Sequence, residues 1–324
     1  MKSSSSSSNG VIFTELNTSM KWHDKYIPEN QLIFVKDGTT SSDGGFLIHH
    51  YMNSFFNHGK RVLLCSFNQS FFHYNTIELK LNINLEKEAQ EGKFVFIDAQ
   101  QSFLLDDFTV GNNSENLQNN LLLYSSPLLL TKSSSQPSPS CIVSLNQTSS
   151  HSIQEYLSTL LKTITSLEKE PSCIILDHIN PLMHQFYVSE DSDGESVVNR
   201  QILKFITQLR KQFKNVTILV LMFSSVEKNK TTTSNDNDSS VHLSNMLEHM
   251  SDIVFRVGPL PTGYSKDVHG RVECIASSGT SEDGMLLKLP KKATLHFKTF
   301  ESKVSLFVPG SVSTSTHKSD SFLF

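Results

Sequence analysis

Leu32-Ile33-Phe34-Val35 is followed by Asp37-Gly38-Thr39-Thr40-Ser41-Ser42-Asp43-Gly44-Gly45, and then by a helix-like stretch that begins at Phe46. An apolar strand, a Gly/Ser/Thr loop and a helix, in that order, make the layout of a phosphate-binding P-loop. A working P-loop reads G-x-x-x-x-G-K-[ST], because backbone N–H groups cradle the phosphates, the lysine reaches the terminal ones and the hydroxyl holds magnesium. Here the lysine is missing. Counted from Gly38, the Gly-Lys-Ser/Thr positions fall on Asp43-Gly44-Gly45; counted back from Gly44, Gly45-Phe46 stand where Lys-Ser/Thr belongs. Asp43 adds a negative charge where a triphosphate needs a positive one. The remnant of Gly38, Gly44 and Gly45 therefore predicts a fold and argues against its usual chemistry.

Outward from the loop, apolar runs alternate with helical patterns, the signature of βαβ units and a mainly parallel sheet. The expected strands span residues 32–35, 61–67, 93–98, 172–177, 216–223 and 252–257, and their continuous apolar character suits strands buried on both faces. Helices are expected over 45–57, 71–81, 152–168, 196–213 and 241–249. Ile153, Leu157, Leu160, Leu161, Ile164 and Leu167 keep helical spacing, as do Val198, Ile202, Phe205, Ile206 and Leu209, and these stripes predict core faces. Beyond Val257 the pattern changes to short strands with turn signals at 271–276, 294–300 and 304–308, an antiparallel extension of the sheet edge. The expectation is one α/β domain over residues 21–310, with a Ser-rich flexible tail at 1–20 and another tail at 311–324. Two polar low-complexity insertions interrupt it, at about 101–150 and 226–240.

Composition excludes several classes. The 324 residues carry a net charge of -4, and the isoelectric point near 6.3 gives no general pull toward nucleic acid. Cys65, Cys141, Cys173 and Cys274 stand far apart without a C-x-x-C pair, which suits reduced thiols. No apolar run reaches the ~20 residues that cross a bilayer. The start, Met1-Lys2 and then Ser3 to Ser8, has no apolar signal region, which favours a cytoplasmic chain.

Candidate chemistry is sparse. Cys173-Ile174-Ile175-Leu176-Asp177 is an apolar strand ending in a carboxylate, as a Walker B aspartate would, although strand-terminal Asp also caps ordinary turns. The strand after the P-loop helix commonly delivers a catalytic glutamate in ATPases of this layout; here it ends at Asn68-Gln69, neither of which accepts a proton. His49 and His50, with His58 further along, lack metal-ligand spacing and are expected as helix-face residues rather than ligands. Gly194-Glu195-Ser196 is no nucleophile elbow. Arg210-Lys211-Gln212-Phe213-Lys214 and Pro290-Lys291-Lys292 are too short for a nucleic-acid footprint. No catalytic residue, metal site or cofactor is assigned.

Four segments carry a resemblance. Gly45-Phe46-Leu47-Ile48-His49-His50, Asn68-Gln69-Ser70-Phe71-Phe72-His73-Tyr74 with Lys80-Leu81-Asn82-Ile83, Pro261-Thr262-Gly263-Tyr264-Ser265-Lys266-Asp267-Val268-His269-Gly270 and Lys303-Val304-Ser305-Leu306-Phe307 resemble, in order, the family of the sixth Elongator subunit. The resemblance covers about 30–310 apart from the insertions. It implies a RecA-like, P-loop NTPase-like domain with a degenerate P-loop, flanked by helices. It also implies a non-catalytic accessory subunit that joins the fourth and fifth Elongator subunits in a hetero-hexameric ring, alongside the remaining core subunits. In that family the ring binds tRNA and supports carbon-5 modification of the wobble uridine, in cytoplasm and also nucleus. Fold logic expects the 37–45 loop at subunit contacts, beyond the carboxyl ends of the strands. On the 259–270 loop, Tyr264, Lys266 and His269 offer stacking and phosphate contacts, while Val268-His269-Gly270-Arg271 equally suits a hairpin turn with Gly270 at positive φ. Two alternatives stand: a divergent RecA-like ATPase, shown by magnesium-dependent ATP binding, and a DNA-repair RecA paralogue, shown by binding of single-stranded DNA.

Overall fold

In the computed structural model, β1 (Leu32–Asp37) is the strand before the glycine-rich loop, and residues 14–20, 27–38, 44–99, 142–145, 152–186, 194–224, 239–263, 265–276, 292–300 and 303–310 are described. β1 pairs in parallel with β6 (Thr217–Phe223) on one side and β7 (Ile253–Gly258) on the other. From β6 the sheet continues in parallel through β5 (Cys173–Asp177), β2 (Val62–Ser66), β3 (Phe94–Asp98) and β4 (Ile142–Ser144). On the other flank β8 (Gly270–Ala276), β9 (Lys292–Thr299) and β10 (Val304–Phe307) are antiparallel. The full order is β10-β9-β8-β7-β1-β6-β5-β2-β3-β4.

The two halves read differently because they are covered differently. β2 and β5 are buried at every position, as continuous apolar runs under helices on both faces require. β8 alternates buried Gly270, Val272, Cys274 and Ala276 with half-buried residues, the mark of one covered face. One core layer joins α1 (Thr14–Ser19), α2 (Phe46–Asn57), α3 (Phe71–Lys80) and α4 (Leu85–Gln90) to Ile33 and Val35 of β1. The opposite layer joins α5 (Ile153–Thr165), α6 (Asn180–Gln185), α7 (Gly194–Gln212) and α8 (Ser239–Met250) to Leu32 and Phe34. Strand alternation sends successive β1 side chains to the two layers.

Local chemistry sets the boundaries. Ser152 caps α5 by accepting the Glu155 N–H at 3.3 Å, half of a capping box. Ser70 occupies the N-cap position of α3 in extended backbone but makes no side-chain cap bond. Asn180, at the start of α6, bridges to β6: its Nδ2 donates to the Phe223 carbonyl (2.6 Å) and its Oδ1 accepts the Phe223 N–H (2.7 Å).

Several elements depart from the sequence expectation. The tail expected over 1–20 contains α1, whose Leu16 and the adjacent Met20 are fully buried. The insertion expected over 101–150 contributes β4, three residues paired with β3, and the buried Leu145 after it; the rest of it, the core of the second insertion and the 311–324 tail lie outside the described residues. α4 and α6 are each six residues, too short to leave a periodic signal. Gly270 is not a positive-φ turn residue. It opens β8 under the Phe297 ring, where a Cβ would stand 2.6 Å from two ring carbons and 2.7 Å from the Gly258 carbonyl oxygen.

Candidate functional site at the carboxyl end of the sheet

The parallel strands end together at one edge of the sheet, where ligands and partners meet open α/β folds. Asp37 ends β1 buried, and its Oδ2 accepts the Gly44 N–H at 2.8 Å. The Gly38 N–H donates to the Val257 carbonyl of β7, also at 2.8 Å. Gly44 packs against the sheet, where a Cβ would come within 3.2 Å of Val35 Cγ1, so the chain enters α2 close to β1. At this end of the loop a carboxylate of the chain itself takes a backbone N–H of the kind that a P-loop turns toward phosphate.

The second half of the site is built on β5 and α3. Asp177 ends β5 beside Ser66 of β2 and is buried. The Tyr74 hydroxyl, carried by α3, donates to Asp177 Oδ2 and lies 3.1 Å from Ser66 Oγ. Ser66 Oγ in turn accepts the Gln69 N–H at 3.0 Å, holding the turn that leads into α3. His178, next in the chain, adopts a left-handed backbone with φ 50° and places Nε2 3.8 Å from Asp177 Oδ1. Strained non-glycine backbone of this kind concentrates at ligand clamps and switches.

A third buried pair lies alongside. His49 Nδ1 of α2 is 2.7 Å from Glu78 Oε1 of α3. Burial pushes the Glu78 carboxyl above its usual range, with His49 opposing. His50 is buried, and desolvation lowers its pKa to about 3, which keeps it neutral. The helix-face histidines expected at 49 and 50 are therefore interior groups. No cluster of three or more potential metal ligands occurs among the described residues.

These elements enclose a cavity of about 310 Å³. Gly45, His49, Tyr74, Asp177 and His178 form its polar wall, and Phe46, Ile48, Ile77, Leu81 and Val304 its apolar one. Lys80 and Lys303 also line it. Phe46 stacks at 5.1 Å on Phe297, tying the start of α2 to the antiparallel flank. The structure thus brings Gly45 and Asp177 of the sequence-predicted set into one cavity, whereas Gly38 and Gly44 do not line it.

The loop after β7 leaves the same end of the sheet, because Val257 pairs with Asp37. Tyr264 lies outside the described residues. Lys266 is exposed. His269 is exposed too, but its Nδ1 accepts the Thr299 N–H at 3.1 Å and its own N–H donates to the Phe297 carbonyl at 2.8 Å, so the ring is fastened to β9. Neither Lys266 nor His269 lines the cavity. Tyr74, Lys80 and Lys303 lie in the segments that carry the family resemblance, but nothing in the sequence assigns them to this site, and His178 lies outside those segments; Phe71, Tyr74 and Glu78, buried at helical spacing, hold the one signal of an inward polar face.

Comparison with known proteins accords with this architecture. The archaeal flagellar accessory protein FlaH of Methanocaldococcus jannaschii superposes with a TM-score of 0.52 at 11% identity over 91% of this chain and 95% of its own. A KaiC-like protein of Pyrococcus horikoshii gives 0.50 at 10% over 90% and 94%. These likenesses establish the RecA-like fold alone. By sequence, Elongator complex protein 6 of Xenopus laevis is 26% identical over 274 residues, 83% of this chain and 88% of that protein. The protein of the same name from Dictyostelium discoideum is 24% identical over 89% and 93%. Residues 13–300 match the profile of the family described as Elongation complex protein 6, a span that takes in every cavity-lining residue except Lys303 and Val304, and the chain belongs to that family.

Proposed function

We propose that this chain is a non-catalytic accessory subunit of Elongator, which assembles with the fourth and fifth subunits into a hetero-hexameric RecA-like ring. The ring binds tRNA and supports carbon-5 modification of the wobble uridine, in the cytoplasm and the nucleus. Family membership supports the complex. The lack of chemistry rests on one observation: the groups that would serve a nucleotide are engaged within the chain. Asp37 accepts the Gly44 N–H and the Tyr74 hydroxyl donates to Asp177. The loop has no lysine, and Gln69 stands where a general base is needed. A magnesium triphosphate does not fit that set, since a buried carboxylate at the loop repels phosphate and the magnesium-facing carboxylate is already held.

Co-expression with the fourth and fifth subunits, followed by light scattering and titration with fluorescent tRNA, tests the reading. A stable 2:2:2 assembly that binds tRNA is expected, together with no ATP turnover by this chain alone. Loss of the chain from the purified assembly, or enzyme-like turnover abolished by Asp177→Asn, overturns it.

A further inference from the structure

One helix face carries charge of a single sign. From Ser196 to Asn215 the chain holds the cationic side chains Arg200, Lys204, Arg210, Lys211 and Lys214 and no carboxylate. Arg210 is committed to the fold, since its guanidinium donates to Asp252 Oδ2 at 2.6 Å and to the Met250 carbonyl at 3.3 Å. Lys204 and Lys211 of α7, and Lys214 just after it, are exposed, and none forms an ion pair among the described residues. By contrast, Lys87 meets Glu91 and Lys292 meets Glu273. Helical spacing puts Arg200, Lys204 and Lys211 on one stripe about 16 Å long. The connections around the carboxyl end of α7, residues 165–172, 212–217 and 250–252, are all described. Among their acids, Asp252 holds Arg210, Glu168 acts on Arg61, and Glu170 is exposed without an ion pair to the row. The neighbouring helix α8 turns its carboxylate, Glu248, to Lys36 and Arg256. The row therefore keeps its sign.

We propose that this face of α7 binds the sugar–phosphate backbone of duplex RNA, with Lys204, Lys211 and Lys214 on the phosphates. Exposed Gln208 and Asn215 supply the amide donors that accompany lysine in such contacts. The linear run from Arg210 to Lys214 is too short for a footprint, but the helix extends it by adding side chains one and two turns away. Phe205 and Phe213 are buried, so the stretch offers no ring on which an unpaired base could stack, and backbone contact is what remains. A protein partner fits less well, because its anchors need an apolar pocket, and the large apolar side chain exposed on α7 is Val197, in the first turn. Lysines near a helix carboxyl end also offset the helix dipole, which accounts for Lys211 and Lys214 but not for Lys204, two turns earlier. The inference deepens the tRNA-binding reading and rests on it for the identity of the nucleic acid, whereas the row of charge belongs to this chain alone.

The test uses the full chain and a fluorescein-labelled RNA hairpin with a long duplex stem, read by anisotropy over a range of salt concentrations. The variant Lys204→Gln/Lys211→Gln/Lys214→Gln keeps side chains of similar helix propensity and is expected to retain the wild-type unfolding midpoint. It is expected to bind the hairpin at least about tenfold more weakly at low salt, and to lower the slope of log affinity against log salt by about 2–3. The control Lys60→Gln/Lys87→Gln/Lys169→Gln removes the same charge from another part of the surface and is expected to bind like the wild type. Unchanged affinity in the α7 variant, an equal loss in the control, or absence of saturable binding by the wild-type chain overturns the inference. So does displacement of the hairpin by polyglutamate or by phosphatidylserine vesicles at equal charge concentration, since either would assign the face to an acidic protein or a membrane. Failure of the wild-type chain to assemble with the fourth and fifth subunits, while the α7 variant still loses the hairpin, sinks the accessory-subunit reading and leaves the helix face standing. A ring that carries the α7 variant and binds tRNA as the wild-type ring does sinks the helix face alone.

Discussion

Replacing Tyr74 by Phe removes one oxygen from the interior and no carbon, so the packing of α3 on β2 and β5 is kept and only the polar link is lost. Tyr74 and Asp177 are both 2% exposed where they form part of the cavity wall. Ser66 Oγ keeps the Gln69 N–H but loses the Tyr74 oxygen as acceptor for its own proton, so the loss falls on the carboxylate and on the serine hydroxyl. A hydrogen bond to a charged acceptor contributes about 1.5–3 kcal/mol. For a domain of this size each kcal/mol moves the midpoint by roughly 2–4 °C, so a fall of roughly 3–12 °C is expected. Tyr156 supplies the internal standard, since its buried hydroxyl donates to the neutral Ala99 carbonyl at 3.0 Å, a bond of about 0.5–1.5 kcal/mol. Urea unfolding of Tyr74→Phe and Tyr156→Phe side by side should show the first losing about twice as much as the second. Equal losses would refute the charged-acceptor assignment, and magnesium-dependent ATP binding gained by Tyr74→Phe would refute the wider reading that the site cannot serve a nucleotide.

Two further measurements probe the interior. His50, held neutral with a pKa of about 3 by burial, is depressed below its unfolded value. Its contribution is therefore complete above about pH 6.5 and is lost as pH falls toward 3, by up to about 1.4 kcal/mol per pH unit. Glu78, raised by burial, acts in the opposite sense, so the slope is read from the difference between wild type and His50→Leu; a difference that does not change from pH 7 to pH 4.5 would discard the assignment. Gly270→Ala should cost at least about 1–3 kcal/mol through the Cβ contacts with Phe297 and Gly258, with Phe297→Leu recovering only the ring-side part; wild-type stability in Gly270→Ala alone would show that the approach is looser than described.

The parallel half of the fold is legible in the sequence because its strands are buried on both faces and so read as unbroken apolar runs. Helices such as α5 and α7 are long enough for their stripes to repeat. Elements of three to six residues are not legible, because a single turn or ladder step has no period to detect; β4 and α6 exist through pairing with β3 and bridging to β6. The candidate site was legible by halves. Missing residues at 43–46 announce themselves, whereas the groups that replace their partners do not. Tyr74 looks like any aromatic on an amphipathic helix until the fold sets it against Asp177. Gly270 shows the same limit, since a glycine required by a ring pressed on its Cα is indistinguishable in sequence from one required by a turn.

The sheet ends in β4, three residues long, and in β10, four residues long. Among the described residues, neither border shows a row of unsatisfied amides longer than four residues. Contacts made by side chains on helices and loops, unlike a backbone ladder, can be rewritten one substitution at a time. Relatives that share only 24–26% of the aligned residues with this chain leave ample room for such surface changes.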